Sequence, residues 1–384
     1  MKIVMYNVTT TLTVGGVETF VWEISRELAR RGHDVDMIGG EGSSHREIPG
    51  VRVITRPFIS RDRFLNLGTR FRRLMERLSF GYHCRRNLST GGYDWIYIQK
   101  PYDLPVASWL KRRTGTRILL GLHGNDFFPG DRWFVRHVDA AVACSAYVRD
   151  EARRRYGIDP AVIYNGVDTD IFCPGLPDQT IREEVGVRPD DQVVVTVGRI
   201  IPGKGIEILL RALDRLHRSN LLLVVVGEGP DRGRLEALVK RLKLRAHFTG
   251  EVDHNKIIQY HRIAEAAVFP SLLKETFGIA VAEAMACGLP VIVSRTGAVP
   301  ELVEEGWTGF LLPPGDEKAL ARQLETVLSD REGSRKIGVS AREIVIKNFS
   351  WRAVGDRLEA VLAGGDDSDI RSARDERGLC GGFE

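Results

Sequence analysis

The sequence predicts an α/β fold of two doubly wound, Rossmann-like domains. Three observations predict it. Short β-branched runs alternate with longer helical patterns, the alternation restarts near Asp191, and 384 residues suffice for two separate cores. Strands this apolar, separated by helices, belong in parallel sheets covered on both faces.

In the first half the expected strands are 2–6, 34–38, 51–55, 94–98, 117–121, 139–143 and 161–164. The helix after Gly15-Gly16 places Val17, Phe20, Val21, Ile24 and Leu28 on one face and stops at Arg31-Gly32. In the second half the strands are 193–197, 221–226, 246–249, 267–269 and 291–293. Phe172-Cys-Pro-Gly-Leu-Pro-Asp-Gln, with two prolines and a glycine, reads as the linker. The expected organisation is a first domain over 1–172, a linker over 173–190 and a second domain over 191–348. A helix over 349–363 then crosses back to the first domain, and the polar tail 364–384 reads as disordered. Ligands of such folds bind at the carboxyl ends of the strands, so the site is expected in the cleft between the domains.

Bulk properties narrow the function. The chain is 43% hydrophobic and 28% charged, as globular proteins are, and its net charge of +4 is too slight to argue for nucleic acid. The cysteines (Cys84, Cys144, Cys173, Cys287, Cys380) are odd in number and scattered, which offers neither a disulfide framework nor a zinc site. The apolar stretch at the N-terminus is too short for a signal peptide, and no run approaches the roughly 20 apolar residues of a membrane span. A soluble cytoplasmic protein is expected, with room for peripheral contact at the inner membrane face.

Two segments carry the chemistry. Gly198-Arg199-Ile200-Ile201-Pro202-Gly203-Lys204-Gly205 joins a strand to a helix, so backbone N–H groups, a helix N-terminus and two cations meet in one turn. That is a site for a phosphate or diphosphate, with Arg199 able to fork onto its oxygens and Lys204 adding a point charge. The spacing imitates a P-loop, but Gly205 stands where a magnesium-binding Ser or Thr is needed. Gly227-Glu228-Gly229 is a second decoy, read as a tight turn. Downstream, Glu275 and Glu283 stand with seven residues between them, the second within an apolar helix where an unpaired carboxylate is costly. A ribose diol would satisfy Glu283, and Glu275 can reach another part of the same ligand. A paired-carboxylate glycosidase would have no use for the cationic turn.

On Gly15-Gly16-Val17-Glu18, Gly198-Arg199, Lys204-Gly205, Gly227-Glu228-Gly229-Pro230, Phe248-Thr249-Gly250, Glu275, Glu283 and Pro300-Glu301, the chain resembles the retaining GT-B glycosyltransferases of family 4, from about residue 2 to about 363. The resemblance implies that Arg199 and Lys204 bind the donor diphosphate. It implies that Glu275 holds hydroxyls of the transferred sugar, Glu283 holds the ribose, and Phe277, Gly278 and Ile279 line the donor. Gly16 would offer its N–H to the phosphate, and His123 would be the histidine beside the sugar. Asn125 and Asp126 are candidates for the acceptor side. The resemblance also implies retention without a protein nucleophile, and closure of the domains around the donor.

No Asp-x-Asp stands in a plausible strand-end turn, so Arg199 and Lys204 are expected to replace a divalent ion; no metal or other cofactor is expected. The substrates are then a UDP- or GDP-type nucleotide-sugar and a glycan, lipid-linked or small-molecule acceptor. Other readings are a nucleotide-sugar epimerase and a non-catalytic partner that binds sugar-nucleotide or membrane. Residues 61–86 carry eight arginines against two acids. Phe64, Leu67, Phe71, Leu74 and Leu78 form an apolar stripe there, flanked by Arg70, Arg73 and Arg77, and read either as a helix on the domain core or as one docking on anionic lipid.

Overall fold

The computed structural model describes residues 1–13, 15–42, 47–124 and 126–364; the tail read as disordered lies, from 365 onward, outside the described residues. The chain forms two compact units. Unit 1 comprises Met1–Gly166 and the chain from Trp351, and unit 2 comprises Val167–Ser350.

Unit 1 holds seven strands: β1 (Lys2–Tyr6), β2 (Asp34–Gly40), β3 (Val51–Arg56), β4 (Trp95–Ile98), β5 (Arg117–Leu122), β6 (Ala140–Ala143) and β7 (Ala161–Val162). All pair in parallel, in the order β3-β2-β1-β4-β5-β6-β7. Along β1 the side chains alternate between two cores. Val4 and Tyr6 enter one with Phe80, Cys84 and Leu88, while Ile3 and Met5 enter the other with Phe20, Ile24 and Leu28. A strand buried on both faces has to be apolar throughout, which explains the run of hydrophobic residues.

Helix α1 (Gly16–Arg30) covers one face, and α2 (Thr69–Thr90) and α3 (Leu104–Thr114) cover the other. Gly81 lets α2 approach α3 closely, since a Cβ there would stand 2.4 Å from Val106. Two short helices follow, α4 (Asp131–Val135) and α5 (Ala146–Tyr156).

Unit 2 holds β8 (Gln192–Val197), β9 (Leu221–Val226), β10 (Ala246–Gly250), β11 (Ala266–Phe269), β12 (Val291–Ser294) and β13 (Phe310–Leu312), also all parallel, in the order β10-β9-β8-β11-β12-β13. The edge strand β13 is absent from the sequence reading: three residues between Gly309 and Pro313 are too short to show a period. Its helices are α6 (Gln179–Glu184), α7 (Ile206–Leu216), α8 (Arg232–Leu242), α9 (Ile257–Arg262), α10 (Ile279–Ala286), α11 (Glu317–Ser329) and α12 (Arg331–Phe349).

The segment read as a linker is built into unit 2. Phe172 is buried, its carbonyl accepts from Arg342 at 3.0 Å, and Asp178 caps α6 by accepting from the N–H of Thr180 at 2.9 Å. Prolines and glycines mark turns, and here the turns are packed. The chain passes between units at Gly166–Val167 and at Ser350–Trp351. Beyond the second passage, α13 (Trp351–Leu362) lies on α1 in unit 1. Val354, Leu358, Val361 and Leu362 join the Phe20 core, and Arg31 bonds Asp356 at 2.8 Å and Glu359 at 3.0 Å.

The basic segment also differs from its reading. Arg61–Arg63 is a 3-10 turn, and Gly68, at φ +96°, breaks the chain before α2 begins. Phe64 and Leu67 therefore lie off the helix, and Leu65 and Leu67 are 77% and 67% exposed. The face of α2 that is fully buried carries Phe80, Cys84 and Leu88 instead.

Candidate active site

In unit 2 the strand order reverses between β8 and β11, which makes their carboxyl ends the switch point where open α/β sheets bind ligands. The phosphate-turn candidates leave β8 there, and the Glu275 loop leaves β11. Three glycines of this turn have positive φ: Gly198 (+144°), Gly203 (+90°) and Gly205 (+76°). At Gly205 the need is absolute, because a Cβ would stand 1.8 Å from the carbonyl oxygen of Pro270. The turn is thus pressed against the β11 loop, and the N–H of Leu272 donates to the Gly203 carbonyl at 2.7 Å.

That contact brings Lys204 to Glu275. The Lys204 Nζ lies 2.7 Å from Glu275 Oε1, which also accepts from Ser271 Oγ at 2.9 Å. Both partners remain partly exposed, at 28% and 23%. The Glu275 backbone is held by the N–H of Ala298, which donates to its carbonyl at 2.8 Å. Arg199 is exposed and has no ion pair among the described residues. One fixed and one uncommitted cation thus stand beside the first turn of α7. The Gly227-Glu228-Gly229 decoy has a structural duty here. Cβ atoms at Gly227 and Gly229 would stand 2.1 Å from the carbonyl oxygens of Gly198 and Ile200, so its glycines let that loop pack on the turn.

Glu283 sits in α10 and is buried, with its Oε1 2.6 Å from Nε2 of His254. The helix starts at Ile279, with Gly278 as its N-cap at φ +107°. Phe277 is buried edge-on to Phe349 at 5.7 Å, so it fixes the helix start from inside the unit. Glu275, Phe277, Gly278, Ile279 and Glu283 all belong to this one loop and helix.

In unit 1 the switch point is between β1 and β4. Gly16 is exposed at the first turn of α1, and Glu18 of that turn accepts from Thr9 Oγ1 at 2.5 Å. His123, just past β5, has Nε2 2.8 Å from Oε1 of Gln99, and its ring meets Phe20 at 4.9 Å. Its Nδ1 is buried without a hydrogen-bond partner among the described residues. Burial, with the Lys100 ammonium adding to it, pushes the imidazole down to about 4, so it is neutral at neutral pH. A neutral ring can exchange a hydrogen bond with a sugar hydroxyl without placing a charge there.

Asp126 is less available than expected: Arg73 Nη1 lies 3.1 Å and Lys100 Nζ 3.3 Å from its carboxylate. Asn125 lies outside the described residues. The arginines assigned to a solvated or lipid-facing stripe contact groups of unit 1, and of the three only Arg77 is buried. Arg70 stacks on Phe127 at 4.1 Å, and buried Arg77 bonds Asp103 at 2.8 Å and Asn7 at 2.9 Å. Arg73 and Arg77 meet carboxylates of these loops, Asp126 and Asp103, whereas Arg70 meets an aromatic face.

Comparison with known proteins identifies the family. Residues 177–344 match the family model described as "Glycosyl transferases group 1", and residues 14–171 match "Glycosyltransferase Family 4". The D-inositol 3-phosphate glycosyltransferase 2 of Catenulispora acidiphila is 30% identical over 325 residues, covering 76% of this chain and 75% of that protein. This chain belongs to the group 1, family 4 glycosyltransferases. The glycosyltransferase is also similar to a GDP-mannose-dependent alpha-(1-6)-phosphatidylinositol monomannoside mannosyltransferase of Mycolicibacterium smegmatis. The identity there is 28% over 379 residues, 91% of this chain and 95% of that one. Among solved structures, HepE of Anabaena in complex with UDP and glucose matches with a TM-score of 0.74 at 24% identity, covering 95% of this chain and 100% of that one. The fold is GT-B.

Sequence reasoning missed three residues of this glycosyltransferase: His254, Gln99 and Ser271, each bonded to a predicted site residue. A lone histidine in a polar loop, or a serine four residues before a glutamate, carries no period or motif that would single it out. Among the described residues no group of three or more His, Cys, Asp or Glu side chains could hold a metal ion, and no helix is long and apolar enough to cross a membrane.

Proposed function

We propose that this enzyme is a retaining, metal-independent hexosyltransferase that moves a sugar from a UDP- or GDP-type donor to a glycan, lipid-linked or small-molecule acceptor, in cell-surface polysaccharide or glycolipid synthesis. The observation that carries the reading is the meeting of Lys204, exposed Arg199 and Glu275 at the unit 2 switch point. Cleavage of the sugar–phosphate bond puts negative charge on the departing diphosphate. Lys204, held in place before the reaction, together with the exposed Arg199 and a helix N-terminus, would stabilise that charge. Glu275, already bonded by Lys204, would hold sugar hydroxyls, and Glu283 the ribose. In unit 1, His123 and the Gly16 N–H would serve the sugar and phosphate. The UDP and glucose bound by HepE support a nucleotide-sugar donor, and the mannosyltransferase relative supports a GDP-sugar as readily.

The test is thermal stabilisation by a panel of UDP-, GDP- and ADP-sugars with EDTA present, on the wild type, Lys204→Ala and Glu283→Ala. One donor should stabilise the wild type and not the variants. Stabilisation that appears only after magnesium is restored would overturn metal independence.

A second reading concerns location, a cytoplasmic enzyme resting on an anionic membrane. With Arg70, Arg73 and Arg77 engaged inside unit 1, what supports it is the loop before α2. There Ile59, Leu65 and Leu67 are exposed beside Arg61 and Arg63. Leu65→Ser/Leu67→Ser should reduce pelleting with phosphatidylglycerol vesicles at low salt, and wild-type protein that stays in the supernatant would end this reading.

A further inference from the structure

The partner of Glu283 is unexpected. A carboxylate 4% exposed inside an apolar helix calls for a strong donor, and a buried arginine is the ordinary solution because its fork engages both oxygens. Here the donor is an imidazole from the loop after β10, and it touches one oxygen only, at 2.6 Å. An ionised carboxylate only accepts hydrogen bonds, so the His254 Nε2 carries the proton in this contact. The imidazole leaves the second carboxylate oxygen untouched.

The imidazole is itself held. Its ring packs against buried Phe172 at 5.3 Å. The turn that presents it is closed by Asp253, whose side chain accepts from the Asn255 N–H at 2.9 Å. The last torsion of a glutamate is soft and roughly two-fold, so an untethered carboxylate would sample many orientations. One bond from a fixed imidazole sets the plane of the group and thereby the direction of the remaining lone pairs. Oxygen acceptors offered in that way suit two neighbouring hydroxyls.

We propose that His254 is a positioning residue for a ribonucleotide: it holds Oε1 of Glu283 so that the carboxylate is pre-oriented to accept from the vicinal diol of the ribose. This rests on the reading of Glu283 as the ribose acceptor. It makes discrimination between ribose and deoxyribose a property of two residues, one of them outside the helix that carries the acceptor.

The experiment is calorimetric titration of UDP, GDP and ADP, each with its 2′-deoxy and 3′-deoxy counterparts, into the wild type, His254→Ala, His254→Gln and Glu283→Ala. The best ribonucleotide should bind the wild type at least about tenfold more tightly than its deoxy counterparts, as expected for a hydrogen bond to a charged group. His254→Ala should lose most of that preference. His254→Gln should recover much of it, because its amide can donate from a similar reach. His254→Ala leaves the buried Glu283 carboxylate without its imidazole and should lower the melting temperature, so binding is compared at a temperature where every variant is folded, and His254→Gln should recover part of the loss. Wild-type discrimination kept by His254→Ala overturns the inference. Discrimination kept by Glu283→Ala, or absent from the wild type, overturns the ribose reading beneath it.

Discussion

The two units repeat one topology and fill its switch point differently. In unit 2 the ion pair there, Lys204 with Glu275, is partly exposed and bound on one side by Ser271. In unit 1 the pair Arg77 with Asp103 is sealed, with side chains 5% and 0% exposed. A partly exposed pair can trade one partner for a phosphate oxygen at lower cost, since its charges keep access to water. A sealed pair cannot, because separating it leaves a charge in a low-dielectric interior. The first is suited to bind a ligand and the second to hold loops in place. Burial thus separates the two ion pairs that stand at the switch points of the two sheets.

The largest effect that would break this contrast lies in unit 1. Asp103→Ala strands the buried Arg77 guanidinium and should destabilise the protein by about 3–5 kcal/mol in urea unfolding. A loss below about 1 kcal/mol, the range of exposed pairs, would mean the pair is not a structural anchor. Next is Lys204→Ala, for which transfer kcat/KM should fall by about 10²–10³, or roughly 2.7–4 kcal/mol of transition-state stabilisation, with little change in melting temperature.

Acid should act on both units through neutral histidines. Burial lowers His123 to about 4, and burial alone lowers His261 of unit 2 to about 3. Each is protonated in the unfolded chain at a higher pH than in the folded one. Stability is therefore full above the unfolded value near 6.5 and falls as pH drops toward 3–4, by up to about 1.4 kcal/mol per pH unit and per histidine. His261→Leu should reduce this slope without loss at pH 7.5, since neither ring nitrogen has a hydrogen-bond partner among the described residues. An unchanged slope in denaturation between pH 4 and 6 would assign the sensitivity elsewhere.

The smallest stability effect is expected from Glu275→Gln. Its partly exposed pair with Lys204 should be worth no more than about 1 kcal/mol in unfolding, while sugar transfer drops far more. A large loss of stability with transfer intact would make Glu275 a scaffold residue, like Asp103.

Much of this was legible in the chain. Runs such as Leu221–Val226 read as strands covered on both faces, and Gly203 and Gly205 read as a strand-to-helix turn. The same reasoning failed on α2. There a basic stripe looks alike whether it faces water, lipid or an internal carboxylate, and Asp103 and Asp126 lie too far along the chain to register as its partners. His254 failed for the same reason, being separated from Glu283 by 29 residues.

What the sequence by itself determined is the local and the periodic: two parallel-sheet units, the glycine turn after β8 with its two cations, and the loop and helix that carry Glu275 and Glu283. Only the tertiary structure decided which charges meet, that Lys204 faces Glu275, that Arg77 is spent on Asp103, and that Glu283 leans on a histidine. The physical reason is that hydrophobic periodicity is written in neighbouring residues. The pairing of charges instead depends on which loops the crossovers bring side by side, and on how much water is left between them.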